Sequence, residues 1–329
     1  MQEKDIRLLM EIGPERESLA HLMRGVELQR TKTTKAGNLL WCKSYPIWST
    51  EAAKDAQVKL DAKRDARGTS DAQRRLNARK AEERLLQIIN ENFTAGDIFL
   101  TLTYGTDKQP EDLTRANRNV RNFLARLRRT CERRNSPAPA YVYVTETLHK
   151  RNGTEYHHHM VLRADVTREE AEAIWEKAGH GHCNTRSIKR MREGLIGLGK
   201  YMAKQVCSAS SADEYSTRHR WCASKGLTVP EATEADRKIS RRKVERIAEA
   251  MERDTCAARE ILERCYPGYE VLEIQVKTSR WVTGAYITAV MARKETGYAN
   301  VDGRRITRGA GGPRGGAAGR GTGLRVGRG

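Results

Sequence analysis

Tyr141 to Leu162 reads YVYVTETLHKRNGTEYHHHMVL, and the interpretation of the whole chain starts there. Two runs rich in β-branched and aromatic residues flank Asn152-Gly153. An Asn-Gly pair between such runs marks a β-hairpin, because a type I′ turn needs positive φ at both central positions. With Asn152-Gly153 as a two-residue loop, Arg151 pairs with Thr154, Lys150 with Glu155, Leu148 with His157 and Glu146 with His159. Directly paired residues of an antiparallel ladder share a face, as do i and i+2 on one strand. Glu146, His157 and His159 therefore converge on one side of the sheet, and His158 points away. Two imidazoles and a carboxylate leave coordination positions open for water and phosphate, a set suited to Mg²⁺ or Mn²⁺. Glu155 shares the face of His157 and is a rival third ligand, although a surface ion pair with Lys150 suits it better. The plainer alternative is a solvated strand in which three consecutive histidines bind nothing.

The chain has 329 residues and a net charge of +19. Its last stretch, Gly303 to Gly329, carries seven arginines and no acid; removing those charges leaves +12 on the body. Such a surface attracts polyanions, without separating DNA, RNA and anionic membrane. No segment approaches the roughly 18 apolar residues of a membrane span. The charged start MQEKDIR is unlike a signal peptide. Seven scattered cysteines without a CxxC pair read as reduced thiols of a cytoplasmic protein.

Residues 1–92 read as a mostly helical, basic N-terminal region. Within it, AGNLLWCKSYPIW (Ala36 to Trp48) suggests a short apolar strand broken by Pro46. Ser49 is placed to cap a helix through Ala66. After a break at Gly68-Thr69-Ser70, a second helix carries Leu76, Ala81, Leu85, Leu86 and Ile89 at helical spacing. Asp97 to Gly105 (DIFLTLTYG) alternates like a buried strand. The following helix, Glu111 to Arg129, gathers Leu113, Ala116, Val120, Phe123, Leu124 and Leu127 on one side. Arg115, Arg118, Arg121, Arg126 and Arg128 lie away from that stripe, mostly solvated, with one or two free to meet phosphate.

Thr167-x-x-Glu170 is a capping-box pattern opening a helix that Gly179 ends. His180-Gly-His182-Cys183 is a second HxH, but it has no hairpin carboxylate and reads as a loop or strand start. Gly194 to Val206 (GLIGLGKYMAKQV) is helical, with Leu195, Leu198, Met202 and Val206 on the buried side. Tyr201 and Lys204, at i and i+3, are neighbours on an adjoining face. Gly197 and Gly199 permit a close approach by the sheet or a DNA backbone. A charged helical region, about Glu231 to Glu263, precedes two strands, Tyr269 to Thr278 and Trp281 to Ala292. The Gly/Arg-rich end is too poor in apolar residues to order itself.

These elements, in this order, resemble the rolling-circle replication initiators of the HUH endonuclease superfamily, its phage-type branch above all. FLTLTYG (Phe99 to Gly105) resembles the first family motif. His157-His158-His159-Met-Val-Leu resembles the second, in which two histidines flank a usually hydrophobic residue; His158 departs from that pattern. KYMAK (Lys200 to Lys204) resembles the third, YxxK, and RWCASKGLTVP (Arg220 to Pro230) is similar to a segment that follows it. The resemblance covers roughly Gln87 to Lys294. It implies an α+β fold with a ferredoxin-like antiparallel sheet and helices on one face, extended by the helical N-terminal region and a disordered tail. The implied domains are 1–92, an endonuclease domain at 93–300 with a helical insertion at about 208–268, and a tail at 301–329.

Carried onto matching positions, the resemblance makes Tyr201 the nucleophile and gives Lys204 the phosphate to position. His157, His159 and Glu146 would bind Mg²⁺ or Mn²⁺. Position 205 holds no second tyrosine, so a single-tyrosine enzyme is implied. The expected substrate is a single-stranded or extruded origin, with a host polymerase and helicase as partners and no membrane. Two other readings stand beside this one. A non-catalytic single-stranded nucleic-acid-binding protein would bind in a salt-sensitive manner without nicking, and a relaxase or transposase would use the same chemistry for mobilisation.

Overall fold

The computed structural model describes residues 1–64, 67–151, 153–189, 191–207 and 221–294. Among them the helices are α1 (Glu3–Ile12), α2 (Thr50–Arg64), α3 (Arg67–Asn92), α4 (Leu113–Arg133), α5 (Arg168–Glu176), α6 (Ile196–Cys207), α7 (Arg241–Arg253) and α8 (Thr255–Cys265). The first five strands are β1 (Val26–Ala36), β2 (Leu39–Trp48), β3 (Ile98–Thr103), β4 (Ala140–Lys150) and β5 (Gly153–Arg163). The others are β6 (Cys183–Ser187), β7 (Cys222–Ala223), β8 (Ala232–Asp236), β9 (Tyr269–Lys277) and β10 (Tyr286–Arg293). They form two antiparallel sheets of five strands, ordered β8-β1-β2-β10-β9 and β6-β3-β5-β4-β7. The class is α+β, as the sequence suggests.

The sheet that carries the histidines is covered on both faces. Leu100, Leu102, Met160 and Leu162 pack against α4 and α5, around the fully buried Trp175. Val142, Val144 and Val161, on the opposite face, pack against Leu85, Ile89 and Phe93 of the α3 region and Leu195 and Met202 of the α6 region. α3 and α6 also serve the other sheet, where Leu86 and Ile196 join Leu39, Trp41 and Ala292. Two helices thus form a shared layer between two sheets, and both have apolar residues on more than one side.

The mostly helical reading of residues 1–92 is corrected by the β1–β2 hairpin. β1 has few apolar residues, so its period-2 signal is weak. The missed cue is Gly37-Asn38, a hairpin dipeptide: Ala36 pairs with Leu39 across it, and Gly37 has φ +57°. A Cβ at Gly37 would lie 2.4 Å from the Asn90 carbonyl oxygen. Pro46 is accommodated inside β2, opposite Gln29, because the pairing of β2 with β10 ends at Ser44. The chain's first hairpin shares a sheet with its last two folded strands through that β2–β10 pairing.

Three boundaries differ from the sequence reading. α3 begins at Arg67, ahead of the expected break at Gly68-Thr69-Ser70. Tertiary packing along a helix of 26 residues outweighs the roughly 1 kcal/mol penalty of one glycine. The region from Glu231 opens with β8, which pairs with β1, before α7 begins at Arg241. Edge pairing there overrides an acidic sequence with little strand propensity of its own. The last strand starts at Tyr286, not Trp281. By contrast, Ser49 accepts from the Ala52 amide, and Thr167 and Glu170 complete the capping box of α5. The Gly/Arg-rich end and most of the Ser208 to Ala223 stretch lie outside the described residues. Six cysteines are free thiols, and no described helix is long and apolar enough to cross a membrane.

Glu11 ties α1 to both neighbours. Its carboxylate meets Arg79 of α3 at 3.0 Å and Lys277 of β9. Burial alone would raise its pKa, but Lys277 and Arg79 outweigh that and hold it below the ordinary 4.5. A depressed folded-state pKa stabilises above the unfolded value and is lost as pH falls through the folded one. Glu11→Gln should therefore cost about 2 kcal/mol at pH 7 and almost nothing near pH 3. Urea midpoints of both proteins across that range test it; a pH-independent gap would refute the ion-pair account.

Candidate active site

The hairpin register differs from the expected one by two residues. Lys150 pairs with Gly153, Leu148 with Glu155, Glu146 with His157 and Val144 with His159. The loop is therefore Arg151-Asn152, with Gly153 (φ +132°) already in the strand. The expected type I′ geometry rests partly on Asn152, which lies outside the described residues. Register here follows the strand bodies, not the turn dipeptide: β5 is held by β3, with Leu100 opposite Met160 and Leu102 opposite His158. A slip of two leaves every side chain on its own face, so the expected convergence of Glu146, His157 and His159 survives the error.

Across the sheet the rows read Glu146–His157–Thr103 and Val144–His159–Thr101–Asn184. Glu146 and His159, diagonal neighbours, meet at 3.1 Å between Oε2 and Nε2. Thr101 Oγ1 lies 3.3 Å from the other ring nitrogen, Nδ1. When Nδ1–H donates to that hydroxyl, Nε2 keeps its lone pair toward Glu146. Burial lowers the His159 pKa, opposed by its bond to Glu146, so the imidazole favours the neutral form a metal requires. His157 Nε2 turns instead to Glu155 at 3.7 Å, and Lys150 pairs with Glu155 at 2.5 Å. The expected Lys150–Glu155 ion pair is thus present, although Leu148 is the residue directly opposite Glu155. As the side chains stand, no three His, Cys, Asp or Glu donors close on one point among the described residues. Two donors meet, and the third shares their face one rotamer away. That donor set fits an oxygen-rich divalent cation.

α6 brings Tyr201 over this face. Its ring stands edge-on to His159, centroids 5.2 Å apart at 85°, and to Phe99 at 6.1 Å and 82°. Phe99 in turn stacks on His159. Close packing of α6 on α3 sets this placement. A Cβ on Gly199 would lie 2.9 Å from Leu86 Cγ, so the glycine admits α3, not the sheet or DNA suggested by sequence. α3 is held from beyond by the RWCASKGLTVP segment: Trp221 Nε1 donates to Ala81, and the Asn92 side chain bonds both backbone groups of Thr228. Tyr201 is 44% exposed, enough for a macromolecular substrate to reach its hydroxyl. Partial burial raises its pKa, the Glu146 charge raises it further, and Arg186 pulls it back. Lys204 is exposed one turn along the same helix.

His158 has a different task. It is fully buried on the opposite face, Nε2 2.9 Å from the Tyr104 hydroxyl and Nδ1 2.9 Å from Thr145 Oγ1. Burial, with the neighbouring histidines, pushes its pKa down to about 3. The second HxH does not converge: His182 is solvent-exposed, while His180 packs 4.7 Å from Trp175. Arg115, Arg118, Arg121, Arg126 and Arg128 lie on α4 away from its buried stripe, as expected. Sequence reasoning missed Thr101 and Arg186. Thr101 was legible as the polar half of the FLTLT alternation; no local signal marks Arg186.

Residues 97–206 match the family model described as Replication-associated protein ORF2. The match begins just before β3 and ends within α6, so it takes in the histidine hairpin and Tyr201 together. It supports a replication-initiator family and a role in DNA replication. Neither the curated proteins nor the solved structures contain a match to the chain.

Proposed function

We propose that the chain is a single-tyrosine HUH endonuclease that initiates rolling-circle replication on single-stranded or extruded origin DNA. The observation that carries this reading is the Tyr201 ring packed on His159, whose Nε2 meets Glu146. His157, His159 and Glu146 would hold Mg²⁺ or Mn²⁺, which supplies Lewis-acid polarisation of the scissile phosphodiester.

The Tyr201 phenol is protonated near neutral pH, since burial and Glu146 both hold its pKa above the ordinary 10. Attack by its oxygen on phosphorus forms the phosphotyrosyl bond and breaks the P–O3′ bond. The departing oxygen gains a proton as the phenol loses one, leaving a 5′-phosphotyrosine and a 3′-hydroxyl. The energy of the broken bond is kept in the covalent intermediate, so strands can be rejoined by reversal. Lys204, on the helix that carries Tyr201, would position the phosphate. The freed 3′-hydroxyl would prime a host polymerase, with a helicase opening the duplex ahead.

The test is incubation with single-stranded oligonucleotides from around the gene, with Mn²⁺ or Mg²⁺, followed by denaturing electrophoresis. A covalent adduct should form and be lost on chelation with EDTA. Glu146→Ala should weaken Mn²⁺ binding at least about tenfold by titration calorimetry. Salt-sensitive binding with no adduct on any strand would favour a non-catalytic binding protein instead.

A further inference from the structure

A cleft of about 550 Å³ opens beside Tyr201, between β6 with the segment after it and α6. That volume lies within the range of small-ligand sites. Its walls include Phe99, Ile188, Leu195 and Leu198, while Arg186 and Lys189 are exposed at its rim. The lining thus carries two cations and no acid. Four other clefts among the described residues each include at least one glutamate. Met191, at the same cleft, leaves 57% of its surface to water.

Apolar walls beneath an acid-free cationic rim complement the two parts of a nucleotide, a planar ring and a phosphate. Arg186 pairs with Phe99 across β6 and β3, so it shares the sheet face over which Tyr201 stands. Resting on the endonuclease reading, we propose that this cleft seats one unpaired base of the DNA strand beside the scissile phosphate, with Arg186 holding the adjoining backbone phosphate. The base anchors the strand, and the phosphate next to it falls under the Tyr201 hydroxyl. The effect of Arg186 on the Tyr201 pKa agrees with their proximity.

Photo-crosslinking tests this without requiring cleavage. A single-stranded oligonucleotide containing 5-iododeoxyuridine is irradiated with the full-length protein in EDTA, and crosslinked peptides are identified by mass spectrometry. The expected main product carries Phe99, Met191 or Tyr201. Leu198→Trp, which fills the cleft, should cut that product at least about tenfold relative to crosslinks elsewhere. Met191→Glu, at an exposed position that the fold tolerates, should do the same by placing an acid in the lining. Crosslinks confined to other surfaces, or an unchanged yield in a folded variant, would overturn the cleft assignment. Because chelation blocks the metal-dependent step, a failure of adduct formation sinks the nuclease reading separately and leaves this binding result standing.

Discussion

Tyr201→Phe is expected to abolish the covalent protein–DNA adduct, lowering its rate of formation by at least about 10³-fold. The substitution removes one oxygen and keeps the ring, so the edge-on contacts with His159 and Phe99 persist. Tyr201 makes no protein hydrogen bond among those found between described residues, and at 44% exposure its hydroxyl has water as an alternative partner. Stability should therefore stay within about 0.5 kcal/mol of wild type. Binding to the single strand in EDTA should also persist, because the phenolic oxygen adds little to backbone neutralisation and stacking. A variant that folds, binds and still forms the adduct would transfer the nucleophile to another residue and end the assignment of Tyr201. Loss of adduct together with loss of folding would not count in its favour, which is why the melting curve belongs in the same experiment.

The second large effect concerns the histidine that faces away from the proposed metal. His158→Ala should destabilise the protein by about 3–5 kcal/mol, enough to unfold a marginal domain. It removes a fully buried ring packed among Tyr104, Tyr143 and Trp175, and strips partners from the Tyr104 and Thr145 hydroxyls. Both losses add, since the cavity and the unsatisfied polar groups each carry a cost. His157→Ala, one position earlier but on the other face, should cost less than about 1 kcal/mol, because its side chain is 25% exposed. Denaturant unfolding of the two variants gives the comparison. Equal losses would show that the face assignment of the three histidines is wrong. His158→Leu should recover part of the deficit by refilling the space, in keeping with the hydrophobic residue usual at that place in the resembling family.

How much of this was legible beforehand depends on the range of the interaction. The alternation around His157, His158 and His159 identified the exposed and buried faces, because strand periodicity is a local property of two-residue spacing. The same locality explains why a register wrong by two still grouped Glu146 with His157 and His159. The helix with Tyr201 was legible from spacing, as was the capping box at Thr167 and Glu170. The β1–β2 hairpin was not: VELQRTKTTKA has too little apolar alternation, and it becomes a strand by pairing with β2 and β8. Likewise β8, ATEAD, has no strand character apart from the edge it completes.

Residue order alone thus carried the elements, the facing of the hairpin and the candidate nucleophile. Which residues stand beside Tyr201 was a matter of long-range packing. Phe99, Thr101 and Arg186 arrive from strands distant in sequence, and α6 reaches them only because Gly199 lets it lie close to Leu86 of α3. A side chain's face follows from its own neighbours along the chain, whereas its partners depend on surfaces that meet only after collapse.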